Sequence, residues 1–341
     1  MERVIRVPQA ELDAAVATLR AGELVAFPTE TVYGLGADAS NPAAVRQVFA
    51  LKGRPATHPV IVHVADAGQL SRWVRAVTPE AQQLADAFWP GPLTLVLPRA
   101  AGVHDVVTGG QETVAVRVPS HPIARQLLQA FGGGIAAPSA NRYGRLSATQ
   151  AAHVRDEFGD AVKVVLDGGD CQVGLESTIV SCEPGRLRLL RPGSITLGQL
   201  RAVVGDVQAG ADASSPRVPG STLAHYSPQT PMQRVPGEQL EARVAALRVG
   251  GQRVAVLALR APPLARPGVI WRDAGPGHEA YAHDLYATLR TLDKAGCAVI
   301  LVQEVPGDER WDAVRDRLVR AAAREATDGG TLPTFSVGEL P

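Results

Sequence analysis

Phe27-Pro28-Thr29-Glu30-Thr31-Val32-Tyr33-Gly34-Leu35-Gly36 joins the end of a short apolar run to a segment of hydroxyls and glycines. The run has the length of a strand. The segment after it has the composition of a turn, where backbone amides and side-chain oxygens approach a ligand closely. An ordinary strand-to-loop junction reads the same way from composition alone. The lysine of a Walker A loop, and its spacing, are absent.

Outward from this stretch, short apolar runs alternate with amphipathic segments up to about residue 200. Strands are expected at 24–27, 60–64, 93–97, 114–118, 135–137, 164–166 and 178–180. Helices are expected at 43–50, 79–87, 122–130 and 149–155, several opened by proline or a Ser, Thr or Asn cap. Such alternation predicts an α/β domain on a twisted sheet. From 205 to 231 Gly, Ala, Ser and Pro dominate, as in a linker or an extended ordered loop. Beyond it, buried strands at 253–259 and 298–302 with helices at 280–295 and 311–323 predict a second, smaller α/β domain. The expected division is 1–204, a Pro/Gly-rich linker 205–232, and 233–341.

A length of 341 residues holds two such domains. The 45% apolar and 20% charged fractions are those of a soluble globular chain. With 34 basic and 34 acidic residues the net charge is zero, which argues against coating nucleic acid or an anionic membrane but leaves room for a local basic pocket. Cys171, Cys182 and Cys297 are odd in number and lack a CxxC spacing, so reduced, mostly buried thiols are expected. Met1-Glu2-Arg3-Val4-Ile5-Arg6 lacks the apolar core of a signal peptide, and no later stretch is long enough to span a bilayer. The expected location is the cytoplasm. Only Lys52, Lys163 and Lys294 are lysine against an arginine-rich background, which fits a genome-level bias.

Several further segments offer polar groups beside predicted strands. Lys52-Gly53-Arg54-Pro55 alternates two cations, which in an extended stretch face one side and can converge on a polyanion; a solvated pair at a helix C-terminus is the commoner outcome. His63 lies in an apolar strand, where a hydrogen-bonded core histidine is the ordinary expectation. Ser139 and Asn141 follow a strand and offer a hydroxyl and an amide to one face, or serve turn and cap chemistry. Gly174-Leu175-Glu176-Ser177-Thr178 leads into a strand, Arg191 stands at a strand end, and His225-Tyr226 sits in the linker.

The segments 28–36, 52–54, 89–94 (Trp-Pro-Gly-Pro-Leu-Thr), 139–141, 174–178 and 191–193, in this order, resemble the L-threonylcarbamoyladenylate synthase (YrdC-type) family. The paired KxR and SxN motifs, Lys52/Arg54 and Ser139/Asn141, carry the likeness most specifically. The likeness covers about residues 1–200, and the Pro219-Gly220 with His225-Tyr226 linker and second α/β domain resemble the family's two-domain form. The resemblance implies an open twisted mixed sheet around a deep basic cavity, with a Rossmann-like C-terminal domain. It implies conversion of L-threonine, bicarbonate or CO2 and ATP to threonylcarbamoyl-AMP and pyrophosphate, a nucleotidyltransferase step that feeds tRNA modification. Lys52, Arg54, Ser139 and Asn141 would be catalytic. Thr31, His63, Arg117 and Ser177 would bind threonine, with Arg117 a two-pronged match for its carboxylate. Lys52, Arg54, His58, Thr113, Ser139, Ser147, Arg191 and Tyr226 would bind ATP, with magnesium accompanying the nucleotide and no metal ligand from the chain. The implied partner is the downstream tRNA threonylcarbamoyl transferase complex, with no membrane and no requirement for direct tRNA binding. His58 stands where the family commonly has asparagine, and 313–318 follow the family's usual helix only loosely.

Two alternatives fit parts of the pattern. Carbamoyltransferases that form carbamoyl-adenylate share such domains, but the zinc-finger CxxC pairs that accompany them are missing. An RNA-binding module needs stacking residues and a phosphate track, which zero net charge and 4% aromatics supply poorly.

Overall fold

The computed structural model describes residues 7–183, 185–220, 225–262 and 264–323. The expectations resting on 1–6, on 221–224 of the linker and on 324–341 lie outside the described residues. Ten strands form one mixed sheet: β1 Val25–Phe27, β2 Gly34–Asp38, β3 Ile61–His63, β4 Leu93–Pro98, β5 Thr113–Arg117, β6 Ile135–Ala136, β7 Val164–Val165, β8 Thr178–Glu183, β9 Arg186–Arg191 and β10 Gln208–Ala209. Their spatial order is β10-β9-β8-β4-β5-β3-β6-β2-β1-β7. A second sheet of four parallel strands, β11 Met232–Val235, β12 Val254–Ala258, β13 Val269–Asp273 and β14 Val299–Gln303, has the order β11-β14-β12-β13. No described helix is long and apolar enough to cross a membrane.

Each strand expected from the sequence falls on an observed one. The opening stretch needs a correction: Gly34-Leu35-Gly36 is not a turn but strand β2, paired antiparallel with β1. Its glycines answer a packing need. A Cβ on Gly36 would stand 2.7 Å from Ile135 Cγ2 and 2.8 Å from Phe27 Cε1. The true loop is 28–33, so the hydroxyls sit at the tip of a hairpin.

Helix Pro42–Lys52 shows how a local signal places a functional residue. Pro42 opens it, Asn41 accepts from the Ala43 and Ala44 amides, and Gly53 closes it at φ 66°. The KxR motif therefore straddles a helix end and is not extended. Helices Gln9–Arg20, Leu197–Val204 and Leu240–Val249 and strands β10, β11 and β13 were not foreseen, and of β9 only its end at Arg191 was.

The second sheet begins at Met232, within the segment expected to be linker. Helices His278–Asp293 and Asp312–Ala322 carry Tyr281, Leu285, Tyr286, Leu289 and Leu318 into one buried cluster with Val32, Leu146, Leu175 and Tyr226. Each such side chain contributes about 1.5–3 kcal/mol when fully buried. The two sheets are thus joined through a common apolar core, with the hairpin tip and linker between them. The three cysteines are free and buried.

Candidate active site

Parallel pairing of β3 and β5 sets His63 beside Arg117 at one end of the large sheet. Arg117 donates from Nη1 to Thr31 Oγ1 at 2.8 Å and from Nε to the Gly91 carbonyl at 3.2 Å, and its Nη2 lies 2.8 Å from Glu30 Oε1. Both partners of that ion contact are buried. Burial works against the Glu30 carboxylate, but the Arg117 guanidinium outweighs it and holds the group below the usual carboxylate range. The 28–33 loop is organised by Thr29, whose Oγ1 accepts from the Thr31 and Val32 amides and lies 2.8 Å from Thr31 Oγ1. Burial and the nearby Arg117 depress His63 to about 3, so its imidazole is neutral, and its Nδ1 has no hydrogen-bond partner among the described residues.

Lys52 and Arg54 are both buried, so neither is a solvated end of a helix. Their head groups diverge. Lys52 Nζ donates to the carbonyls of Ser139, at 2.5 Å, and of Asn141. Arg54 donates from Nη2 to the Pro59 carbonyl at 2.8 Å, and its buried Nε is unpartnered among the described residues. Burial lowers Arg54 to about 10, still fully charged at neutral pH. The alternation inferred for Ser139 and Asn141 also breaks down: Ser139 lines the cavity, while Asn141 Nδ2 turns to the carbonyls of Arg142 and Arg145, at 2.8 and 2.9 Å.

Arg191, at the end of β9, donates to the Ser177 carbonyl at 2.8 Å and to the Pro219 carbonyl at 2.9 Å. Ser177 Oγ lies 2.7 Å from Thr94 Oγ1. Pro219, Gly220, His225 and Tyr226 of the linker also line the cavity. The resulting cavity holds only about 50 Å³ and is lined by Thr31, Arg54, His63, Arg117, Ser139, Glu176, Ser177, Arg191 and Tyr226, among others. Three buried guanidiniums facing so little space, two of them satisfied mainly by backbone carbonyls, make a site suited to anions.

Eight expected site residues therefore line one cavity, and five stand off it. Lys52 and Asn141 lie behind its wall, bonded to backbone. Ser147 is buried one layer back, donating to Glu176 Oε1 at 2.5 Å. His58 is half-buried, 3.3 Å from the Tyr143 hydroxyl. Thr113 shares a face of β5 with Arg117 but sits four residues away along it, opposite Pro98.

Comparison with known proteins shows the family. Residues 17–193 match the family described as "Telomere recombination" (Sua5, YciO and YrdC proteins), and 195–323 match "Threonylcarbamoyl-AMP synthase, C-terminal domain". The threonylcarbamoyl-AMP synthase of Bacillus subtilis is 38% identical, with 92% of this chain and 93% of that protein aligned. The synthase of Pyrococcus abyssi is 37% identical over 93% of this chain and 95% of that protein. The crystal structure of P. abyssi Sua5 complexed with L-threonine superposes with a TM-score of 0.86 at 37% identity, covering 93% of this chain and 95% of that one.

The chain belongs to the threonylcarbamoyl-AMP synthase family.

Within this synthase, three contributors escaped the sequence reading. Glu30 and Glu176 lie inside recognised motifs, but nothing in their spacing marks them as partners of Arg117 and Ser147. Arg317 comes from the segment that departs from the family's usual helix, yet it donates from Nε to Glu176 Oε2 at 2.7 Å. The site's carboxylates are thus both engaged by arginine. Among the described residues no group of three or more His, Cys, Asp or Glu stands together as a metal site.

Proposed function

We propose that this cavity condenses L-threonine, bicarbonate or CO2 and ATP into threonylcarbamoyl-AMP and pyrophosphate. The supporting observation is that Arg54, Arg117 and Arg191 converge with Thr31, Ser139 and Ser177 on one cavity. The threonine carboxylate, the carbamate and the triphosphate are all anionic, and the site opposes them with fixed cations and hydroxyls. Threonine sits against Arg117, Thr31, His63 and Ser177. Since all three nitrogens of Arg117 already have protein contacts, its carboxylate grip displaces or shares one of them. The threonine amine takes up CO2 as a carbamate and gives up a proton to water or bicarbonate, a carbamate oxygen attacks the α-phosphorus of ATP, and the bond to pyrophosphate breaks. Positioning and charge neutralisation are the main demands of such a step. Arg54 and Arg191 hold the phosphates, Ser139 guides them, and Lys52 and Asn141 fix the loop that carries Ser139. Tyr226 and, behind it, Ser147 complete the nucleotide side, with His58 and Thr113 farther along its path. Magnesium arrives with the triphosphate.

A space of about 50 Å³ holds only a few waters, so the linker withdraws to admit ATP and closes again over the adenylate. The product then passes to a tRNA threonylcarbamoyl transferase complex in the cytoplasm. The large sheet, through β10 Gln208–Ala209, belongs to the catalytic unit and the second sheet, from Met232, to the C-terminal unit, so the expected linker 205–232 shortens at both ends. The test is pyrophosphate release from ATP by the purified chain. Release that requires both threonine and bicarbonate is expected. Release that instead requires carbamoyl phosphate, or none at all with magnesium present, overturns the assignment.

A further inference from the structure

Arg317 belongs to the last described helix, Asp312–Ala322, in the C-terminal unit, yet its side chain has 0% exposure. Besides Glu176 it contacts Asp316 Oδ2 at 2.6 Å, and its guanidinium lies 5.2 Å from the centre of the Tyr226 ring. Tyr286, from helix His278–Asp293, donates to Glu176 Oε2 at 3.0 Å. Glu176 in turn accepts from Ser147 and lines the cavity. Two residues of the C-terminal unit thus reach, through one carboxylate and one ring, the groups assigned to the nucleotide.

We propose that Arg317 and Tyr286 are positioning residues for nucleotide binding, acting through Glu176 on Ser147 and through the Tyr226 ring on the linker. The inference rests on the synthase reading above and makes the C-terminal unit part of the active site. A buried carboxylate without its cation is costly, several kcal/mol even after relaxation, and relieves the cost by taking up a proton or water. Either change releases the Ser147 hydroxyl. Loss of the guanidinium also removes the cation from the face of Tyr226, a linker residue held at φ 60°.

Charge around Glu176 comes from every element packed against it. Arg317 and Asp316 stand on one helix and Tyr286 on another, with His225 and Tyr226 on the linker, Arg191 on β9 and Lys52 on helix Pro42–Lys52. Burial alone raises the Glu176 carboxyl, but Arg317 first and then Arg191 outweigh it and hold the group at about 2. Without Arg317, Glu176 takes up its proton at a higher pH.

The experiment compares the full-length wild type with Arg317→Met, Arg317→Lys, Tyr286→Phe and the double variant Arg317→Met/Glu176→Gln. KM for ATP and the pH profile of kcat/KM are measured by pyrophosphate release. Arg317→Met is expected to raise KM for ATP about tenfold, equivalent to about 1.4 kcal/mol. It should also move the acid limb up by about one pH unit or more. Arg317→Lys recovers part of both, and the double variant loses the displaced limb because an amide does not titrate. A folded Arg317→Met with wild-type KM and acid limb overturns the inference. If that variant does not fold, Tyr286→Phe decides. A KM raised about threefold with an upward-shifted limb supports the proposal, by the scale of one hydrogen bond, and no change in either overturns it. A wild type that releases no pyrophosphate with threonine and bicarbonate strikes down the synthase reading instead, so the two failures are told apart.

Discussion

Lys52 and Ser139 stand 87 positions apart in the chain, and Lys52 Nζ donates to the Ser139 carbonyl at 2.5 Å. Burial, and then the nearby Arg54, push the Lys52 amine well below its ordinary range, and its Nζ, held between two carbonyls, pins the loop whose serine faces the cavity. Lys52→Ala is expected to lose about a hundredfold in turnover, the scale of removing one preorganised donor. Arg at the same position should not restore it, because a planar fork does not fit a point-like slot. Steady-state pyrophosphate release checks both, and near-normal activity of Lys52→Ala contradicts the assigned role.

Glu30 and Arg117 form a buried ion contact beside the threonine position. Glu30→Ala leaves an unpaired buried guanidinium and should cost about 3–5 kcal/mol in urea unfolding. KM for threonine should rise as Arg117 loses its orientation. A variant with wild-type stability and wild-type KM for threonine refutes that dependence.

These residues show what the sequence could and could not reveal. The alternation of apolar runs and amphipathic segments was enough to anticipate an α/β fold, and the family resemblance carried by the ordered polar motifs gathered eight lining residues. Alternation within KxR and SxN misled, because Gly53 ends a helix in the left-handed region and Asn141 turns to satisfy local carbonyls. Strand β2 was hidden because glycine is read first as a turn former, and only the neighbouring Ile135 and Phe27 show that close packing required it. The Glu176–Arg317 pair spans 141 positions and two sheets, a separation that no local period encodes. The helix Leu197–Val204 was readable in principle, since Thr196 and Gln199 form its capping box.

Gly174 marks the contact between the two units. It adopts φ +76°, and a Cβ there would stand 2.3 Å from the His283 carbonyl oxygen in helix His278–Asp293. Gly174→Ala combines backbone strain with overpacking, each about 1–3 kcal/mol. Thermal unfolding should show the loss, and KM for ATP should rise as Tyr286 shifts from Glu176. An unchanged melting temperature contradicts the packing described.

Acid sensitivity follows from the buried histidines. Burial, the largest influence on each, depresses His63 and His225 to about 3 and His153 to about 4, from 6.5 in the unfolded chain. As pH falls below 6.5 the unfolded chain binds protons that the folded one refuses. The stability these groups contribute is therefore complete above 6.5 and is lost progressively until pH passes below their folded values. Glu176 adds a second loss between 4.5 and about 2. Urea midpoints taken at roughly pH 8 and roughly pH 5 should fall with acid. His63→Gln should flatten the decline, and an equally steep decline in that variant contradicts the depressed titration of His63.

The most direct measurement is a crystal structure of the full chain with L-threonine and a non-hydrolysable ATP analogue. The threonine carboxylate is predicted against Arg117 and Ser177, with the phosphates between Arg54 and Arg191 and the linker residue Tyr226 closed over them. Nucleotide seated instead in the open trough of about 610 Å³ lined by Arg46, Arg75 and Arg99, with the smaller cavity empty, would contradict the account.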